Sequence, residues 1–98
     1  MKENEPNDTG HLVRRLAKDD IHAFETLFTR YHKTLYSFAR NLLPATIDAE
    51  EIVQNVFMAI WNQRKKLHLS SSFGAYLFGI AKHMIYDFIR QKSNIRHL

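Results

Sequence analysis

Apolar residues recur at intervals of three and four along most of this chain. The longest series consists of Ile21, Phe24, Leu27, Phe28, Tyr31, Leu35, Phe38, Ala39, Leu42 and Leu43. Only a helix satisfies this spacing, so the pattern predicts one long helix that begins at Ile21 and ends before Pro44. A shorter helix is predicted over Thr9 to Lys18, and Asp19 and Asp20 supply the break between the two.

The same spacing predicts two further helices. One runs from Asp48 to about Arg64; residues 48–51 can form a capping box, and Thr46 is an equal candidate for the cap. The other begins after one of three serines, at about Phe73, and fades after Arg90. Residues 64–72 between them read as a loop, and residues 1–8 as a flexible tail. We therefore expect an all-α fold, a compact bundle of about four helices over residues 9–92.

The helix predicted over 48–64 has two chemically different faces. At about 100° per residue, one face is broadly apolar. The opposite stripe of this third predicted helix, α3, is called the α3 stripe below and consists of Glu51, Gln54, Asn55, Met58 and Asn62. It contains no Lys or Arg, although a solvated helix face usually carries pairs of opposite charge. A protein contact and an ordinary polar surface explain this composition about equally well.

Positive charge is concentrated in the C-terminal half. The net charge is +4; residues 1–51 carry seven Lys and Arg against nine acids, a net −2, and residues 52–98 carry seven against the single Asp87, a net +6. This asymmetry favours a polyanion, most often a nucleic acid, as a partner at one end of the molecule.

The last predicted helix carries a cationic stripe with an aromatic residue in it. This surface of the fourth predicted helix, α4, is called the α4 stripe below and consists of Gly79, Lys82, His83, Tyr86 and Arg90. Cations neutralise phosphates, and flat side chains stack on exposed bases, so the stripe suits a strand with unpaired bases. The basic cluster Arg64, Lys65 and Lys66 lies shortly before this helix.

The composition argues against several other functions. There is no Cys, no apolar run long enough to span a bilayer, and no signal-peptide pattern, so we expect a cytoplasmic protein without membrane insertion. The six His residues show no metal-ligand spacing. No glycine-rich phosphate loop or nucleophile motif is present, so we expect no catalytic residue, no metal and no cofactor.

Three blocks of sequence, in this order and spacing, resemble region 2 of a bacterial extracytoplasmic-function (ECF) RNA polymerase sigma factor. The first is Ala23-Phe24 with Leu27 and Tyr31, and the second is residues 48–57 with Trp61. The third is residues 76–82 with Asp87 and Arg90. The blocks span nearly all of residues 19–92, which makes the resemblance specific.

The resemblance implies a non-enzymatic initiation factor with two partners. It assigns the α3 stripe to the clamp coiled coil of the largest subunit of core RNA polymerase. It assigns the last helix and the loop before it to the non-template strand of the promoter minus-ten element. The residues expected at DNA are Arg64, Lys65, Lys66, Ser71, Ser72, Phe73, Tyr76, Lys82, His83, Tyr86 and Arg90. Tyr76 also shares the apolar seam of its helix, so a core role for Tyr76 is slightly favoured. An anti-sigma protein that covers these surfaces is also implied.

Two departures from the family pattern affect these expectations. His83 stands where the family usually carries an Asn implicated in promoter contact, which leaves the base specificity open. Complete factors continue into a helix-turn-helix domain that reads the minus-thirty-five element, so we interpret residues 93–98 as the start of a linker. This sequence ends at Leu98, before any such domain. A truncated domain and a protein without upstream recognition are the two explanations.

Two other functions remain open from the sequence. A polymerase-independent helical DNA-binding regulator would bind duplex DNA tightly, whereas a sigma domain should prefer single-stranded minus-ten DNA. A protein-interaction module of sigma-like fold would bind either form weakly and would tolerate replacement of Lys82 or Arg90.

Overall fold

The computed structural model of the chain describes residues 8–67 and 72–96. The helices are α1 (Thr9–Leu16), α2 (Ile21–Leu42), α3 (Thr46–Asn62) and α4 (Phe73–Arg96), and a short 3-10 turn spans Arg64–Lys66. The described residues contain no strand. The expected all-α bundle of four helices is confirmed.

The turn between α1 and α2 combines a left-handed residue with a helix cap. Asp19 has a φ of 68°, and the amides of Asp19 and Asp20 donate to the carbonyls of Leu16 and Arg15 at 2.9 and 3.2 Å. This is a common way to satisfy the last carbonyls of a helix. It explains why α1 ends at Leu16 and not at the predicted Lys18. The Asp20 carboxylate then caps α2 by accepting from the amides of His22 and Ala23 at 3.0 and 3.3 Å.

The start of α3 differs from the prediction. The N-cap residue is Ala45, which offers no side-chain oxygen, so neither the capping box nor a Thr46 cap forms. Asp48 instead lies in the first turn, where a negative charge is favourable, and its carboxylate is 3.6 Å from Lys92 of α4. The helix ends at Asn62, earlier than the predicted Arg64, because the chain tightens into the Arg64–Lys66 turn.

The last helix is longer than predicted. Ser72 caps it, since its hydroxyl accepts from the Ala75 amide at 3.0 Å. The helix does not fade after Arg90 but continues to Arg96. Residues 91–96 contain no Gly or Pro that would end a helix. Much of the segment interpreted as the start of a linker is therefore helical.

The core lies where α2, α3 and α4 meet, and α1 closes one side. Its largest fully buried side chains are Leu16, Leu27, Leu35, Val56, Ile60, Phe73, Leu77 and Ile85. Aromatic rings fill the space between α2 and α3: the centroids of Phe24 and Trp61 are 5.2 Å apart, and those of Phe28 and Phe57 are 4.9 Å apart. Edge-to-face contacts of this kind add to the hydrophobic burial.

Phe73 belongs to this core, which corrects its assignment to DNA. Its side chain is only 1% exposed, and its ring centroid is 5.4 Å from that of Tyr31 on α2. A ring enclosed in this way has no face to offer a nucleic-acid base. The assignment to DNA followed the family resemblance, whereas the helical spacing of Phe73 with Leu77, which is also buried, favours the core.

We expect Phe73→Ala to lower the free energy of unfolding by about 3 to 5 kcal/mol, because it removes a buried ring and leaves a cavity. Urea denaturation followed by circular dichroism measures this change. Tyr86→Ala is the control, since Tyr86 is 48% exposed and a surface change usually alters stability by less than about 0.5 kcal/mol. Equal effects of the two substitutions would contradict the buried position of Phe73.

Candidate interaction surfaces

The α3 stripe lies on the surface of the bundle. Its five members are all exposed, and Met58, the apolar one, is 60% exposed. The other side of α3 is buried against α2 and α4, as Val56 and Ile60 show with 0% and 1% exposure. The helix therefore separates a core face from a free polar face, as its sequence predicts.

Neighbouring residues of α2 extend the surface beside this stripe. Ile21, which is 46% exposed, forms with Phe24, Met58, Trp61 and Asn62 a depression of about 270 Å³. Ile21 is absent from the predicted surface because, in the sequence, it is only the first residue of an apolar series. Its place at the start of that series, where a helix face is often incompletely covered, was the available signal.

A larger groove lies between α2 and α3, next to Gln54. It has a volume of about 800 Å³ and is lined on the α2 side by Phe28, His32, Lys33 and Tyr36. The rings of Phe28 and His32 stack with centroids 4.6 Å apart and an interplanar angle of 6°. Phe28 is 37% exposed, so a residue that the periodicity assigns to the core also contributes to the surface.

The α4 stripe is also exposed. Lys82, His83, Tyr86 and Arg90 all face outward. A Cβ placed on Gly79 would meet nothing within 4 Å, so the surface is open at that position. Asp87 lies among these side chains: it accepts from Arg90, and its carboxylate is 3.3 Å from Nε2 of His83. The acid thus orients two members of the stripe.

The basic cluster before α4 is engaged in contacts within the protein. The Asp19 carboxylate is 2.8 Å from Nε of Arg64 and 2.9 Å from Nζ of Lys65. Arg64 also donates to the Trp61 carbonyl at 2.8 Å, and its guanidinium lies 3.9 Å from the centre of the indole ring. A phosphate contact by Arg64 stays a prediction, and it requires that some of these contacts break.

Asp19 is negatively charged at neutral pH. Hydrogen bonds from Lys65 and from Arg64 lower the pKa of its carboxyl group. Asp20 behaves in the same way, since a hydrogen bond from Arg15 lowers its pKa. The turn between α1 and α2 therefore carries two carboxylates held by cations.

The remaining predicted DNA contacts lie near the start of α4. Ser71 lies outside the described residues, and Ser72 is exposed but serves as the helix cap. Tyr76 is half-buried, and its hydroxyl donates to Oε1 of Gln63 at 2.9 Å, which agrees with a packing role. Lys66 is exposed.

Neither a metal site nor a membrane-crossing helix occurs in the described part of the chain. Within residues 8–67 and 72–96, no three His, Asp or Glu side chains group in a way that could hold a metal ion. None of the helices in the same ranges has both the length and the hydropathy that crossing a bilayer requires.

Comparison with known proteins identifies the family. The chain matches the family model of sigma-70 region 2 over residues 27–95. It is 30% identical over 93 residues to the RNA polymerase sigma factor NccH of Alcaligenes xylosoxydans xylosoxydans, an alignment that covers 95% of this chain and 50% of that protein. It is 29% identical over 73 residues to the ECF RNA polymerase sigma factor SigX of Bacillus subtilis, covering 74% of this chain and 38% of that one. The chain spans half or less of the length of these relatives.

The fold is shared with a solved structure. The NMR structure of the complex formed by an engineered region 2 of sigmaE with GTAAAA has a TM-score of 0.81 to this chain, with 23% sequence identity and 100% coverage of both chains. The chain belongs to the sigma-70 region 2 family, as an ECF-type sigma factor region 2 domain.

Proposed function

We propose that this domain binds core RNA polymerase through α3 and captures unpaired bases of the promoter minus-ten element through α4. The observation that carries the proposal is the exposure of two chemically different stripes on separate helices of a sigma-70 region 2 fold. One stripe is uncharged except for Glu51, and the other is cationic and contains Tyr86.

Base capture explains how such a domain promotes strand opening without ATP. Extruding a base from the stack costs a few kcal/mol. Stacking on an aromatic side chain can return about 1 to 3 kcal/mol per base. Tyr86, 48% exposed between Lys82 and Arg90, offers such a face beside two cations. The domain thus stabilises an open state that already exists, and it performs no catalysis.

The chemistry of the α4 stripe supports nucleic acid as its partner. Lys82, with its exposed ammonium group, can neutralise a phosphate, whereas His83 can donate to or accept from a base edge. The engineered region 2 of sigmaE, which shares this fold, was determined in complex with GTAAAA. We propose an unpaired minus-ten strand as the corresponding ligand here.

The chemistry of the α3 stripe supports a protein partner. Amides and a Met beside the apolar depression at Ile21 form a surface with few charges, which is the composition of an interface centre. We propose the clamp coiled coil of the largest polymerase subunit as its partner. An anti-sigma protein that covers the same surfaces belongs to the proposal as a competitor of polymerase.

Introducing positive charge into the α3 stripe tests the polymerase contact. We expect Glu51→Lys combined with Gln54→Lys to weaken association with core polymerase by at least about 100-fold, because two new charges would be buried without partners. The measurement is a pull-down with purified core enzyme, quantified by titration, and circular dichroism should show unchanged helicity.

A matched control introduces the same two charges elsewhere. Glu25→Lys combined with Thr29→Lys changes two exposed residues of α2, and this variant should bind polymerase like the parent chain. Retained association of the α3 variant, or equal loss in both variants, would contradict the assignment of the α3 stripe.

Removing two cations from the α4 stripe tests the nucleic-acid contact. We expect Lys82→Ala combined with Arg90→Ala to weaken binding to single-stranded DNA. The slope of log affinity against log salt should become shallower by up to about 1.4, since each phosphate contact to a single strand contributes about 0.7. Fluorescence anisotropy with strands selected from a randomised pool measures both quantities.

The control for this experiment removes an equal charge from α1 and the turn that follows it. Arg14→Ala combined with Lys18→Ala changes two exposed cations, and the salt slope should remain that of the parent chain. A parent-like slope in the Lys82 and Arg90 variant would show that the α4 stripe does not contact phosphates.

A further inference from the structure

Asp19 occupies a backbone conformation that L-amino acids rarely adopt. Its φ of 68° lies in the left-handed region, and it is the only non-glycine residue with a positive φ among those described. Such a conformation costs free energy for a residue with a side chain, whereas glycine adopts it readily. Because glycine would adopt this conformation at lower cost, an acid here indicates a role for its side chain.

The side chain of Asp19 joins the turn after α1 to the basic cluster before α4. Its Oδ1 atom is the acceptor for both Arg64 and Lys65, at 2.8 and 2.9 Å, and Arg64 is 45 positions away in the sequence. The Lys65 ammonium group is also directed to the carbonyl of Ala17, at 3.3 Å. One carboxylate oxygen therefore occupies the contact position of two of the three cations of this cluster.

The two cations differ in how firmly they are held. The Arg64 side chain is 20% exposed and lies against Trp61, whereas the Lys65 side chain is 59% exposed. The Asp19 carboxylate is itself 53% exposed. Solvent reaches the acid and Lys65, so an anion from solution can compete with Asp19 for these cations.

We propose that Asp19 competes with nucleic-acid phosphates for Arg64 and Lys65, and that it thereby limits the sequence-independent affinity of the domain. This inference rests on the proposed function. A carboxylate oxygen shared by an arginine and a lysine takes the place that a phosphate oxygen would take. A strand that contacts Lys65 must first displace the acid, so that contact contributes little net affinity while Asp19 is present.

The main test removes the charge of Asp19 and measures salt dependence in the full 98-residue chain. Asp19→Asn tolerates the left-handed conformation but carries no charge. Asp19→Gly removes the side chain and also the backbone strain, so it guards against a variant that folds poorly. The probes are a mixed-sequence single-stranded DNA and a strand selected by the parent chain from a randomised pool.

Both variants should bind both probes more tightly and with a steeper salt dependence. If both released cations contact phosphates, the salt dependence becomes steeper by up to about 1.4, so a fourfold rise in salt should weaken the variants by up to about sevenfold more than the parent chain. A purely structural role of Asp19 would change the unfolding midpoint without steepening this slope.

A second substitution distinguishes competition from a general change in charge. Lys65→Ala should leave the slope nearly unchanged in the parent chain, because Asp19 already occupies the contact position of Lys65. In the Asp19→Asn background, the same substitution should make the salt dependence shallower by about 0.7. Asp8→Asn is the control: it also removes an acid paired with an arginine, Arg30 at 2.8 Å, and it should leave the slope unchanged.

The outcomes separate this inference from the proposed function. If the parent chain binds single strands but Asp19→Asn and Asp19→Gly show an unchanged or shallower slope, the competition is refuted and the proposed function stands. If the parent chain binds no single strand at all, both fail. Equal steepening by Asp8→Asn would also refute a specific role of Asp19.

Discussion

The architecture depends on the one-sided burial of α3. Its apolar face is enclosed by α2 and α4, with Val56 and Ile60 almost inaccessible, and this burial supplies much of the hydrophobic stabilisation of the bundle. Because only one face of α3 is covered, the opposite stripe must remain in solvent. The same packing leaves the outer side of α4 exposed to solvent, so the bundle presents two separate surfaces.

The polar contacts of the bundle organise the ends of these helices. Asp20 caps α2, and Asp19 ties the preceding turn to the Arg64–Lys66 turn that leads toward α4. Ser72 then caps α4 itself. These contacts lie at or near the surface, where each contributes little to stability, and they fix the starts of α2 and α4.

The helices and both stripes could be predicted from the sequence because burial imposes a periodicity of 3.6 residues. The α3 stripe and Lys82 are exposed as that periodicity requires. The same periodicity also favours the core for Phe73, since Leu77 and Ala81 follow it at intervals of four and are buried. Its assignment to DNA came from the family resemblance. The ion pair of Arg64 with Asp19 could not be predicted. The two residues are distant in sequence, and only the folded bundle brings them together. Ser71 lies outside the described residues, so its predicted contact stays a prediction.

The central proposal is that nucleic acid binds α4 and leaves the α3 stripe free for polymerase. Two-dimensional NMR of the ¹⁵N-labelled chain, titrated with a selected single-stranded DNA, tests it most directly. The account predicts that amide shifts concentrate around Lys82 and Tyr86 of α4, while those around Gln54 and Met58 of α3 stay in place. Shifts concentrated on α3, with α4 unchanged, would contradict it.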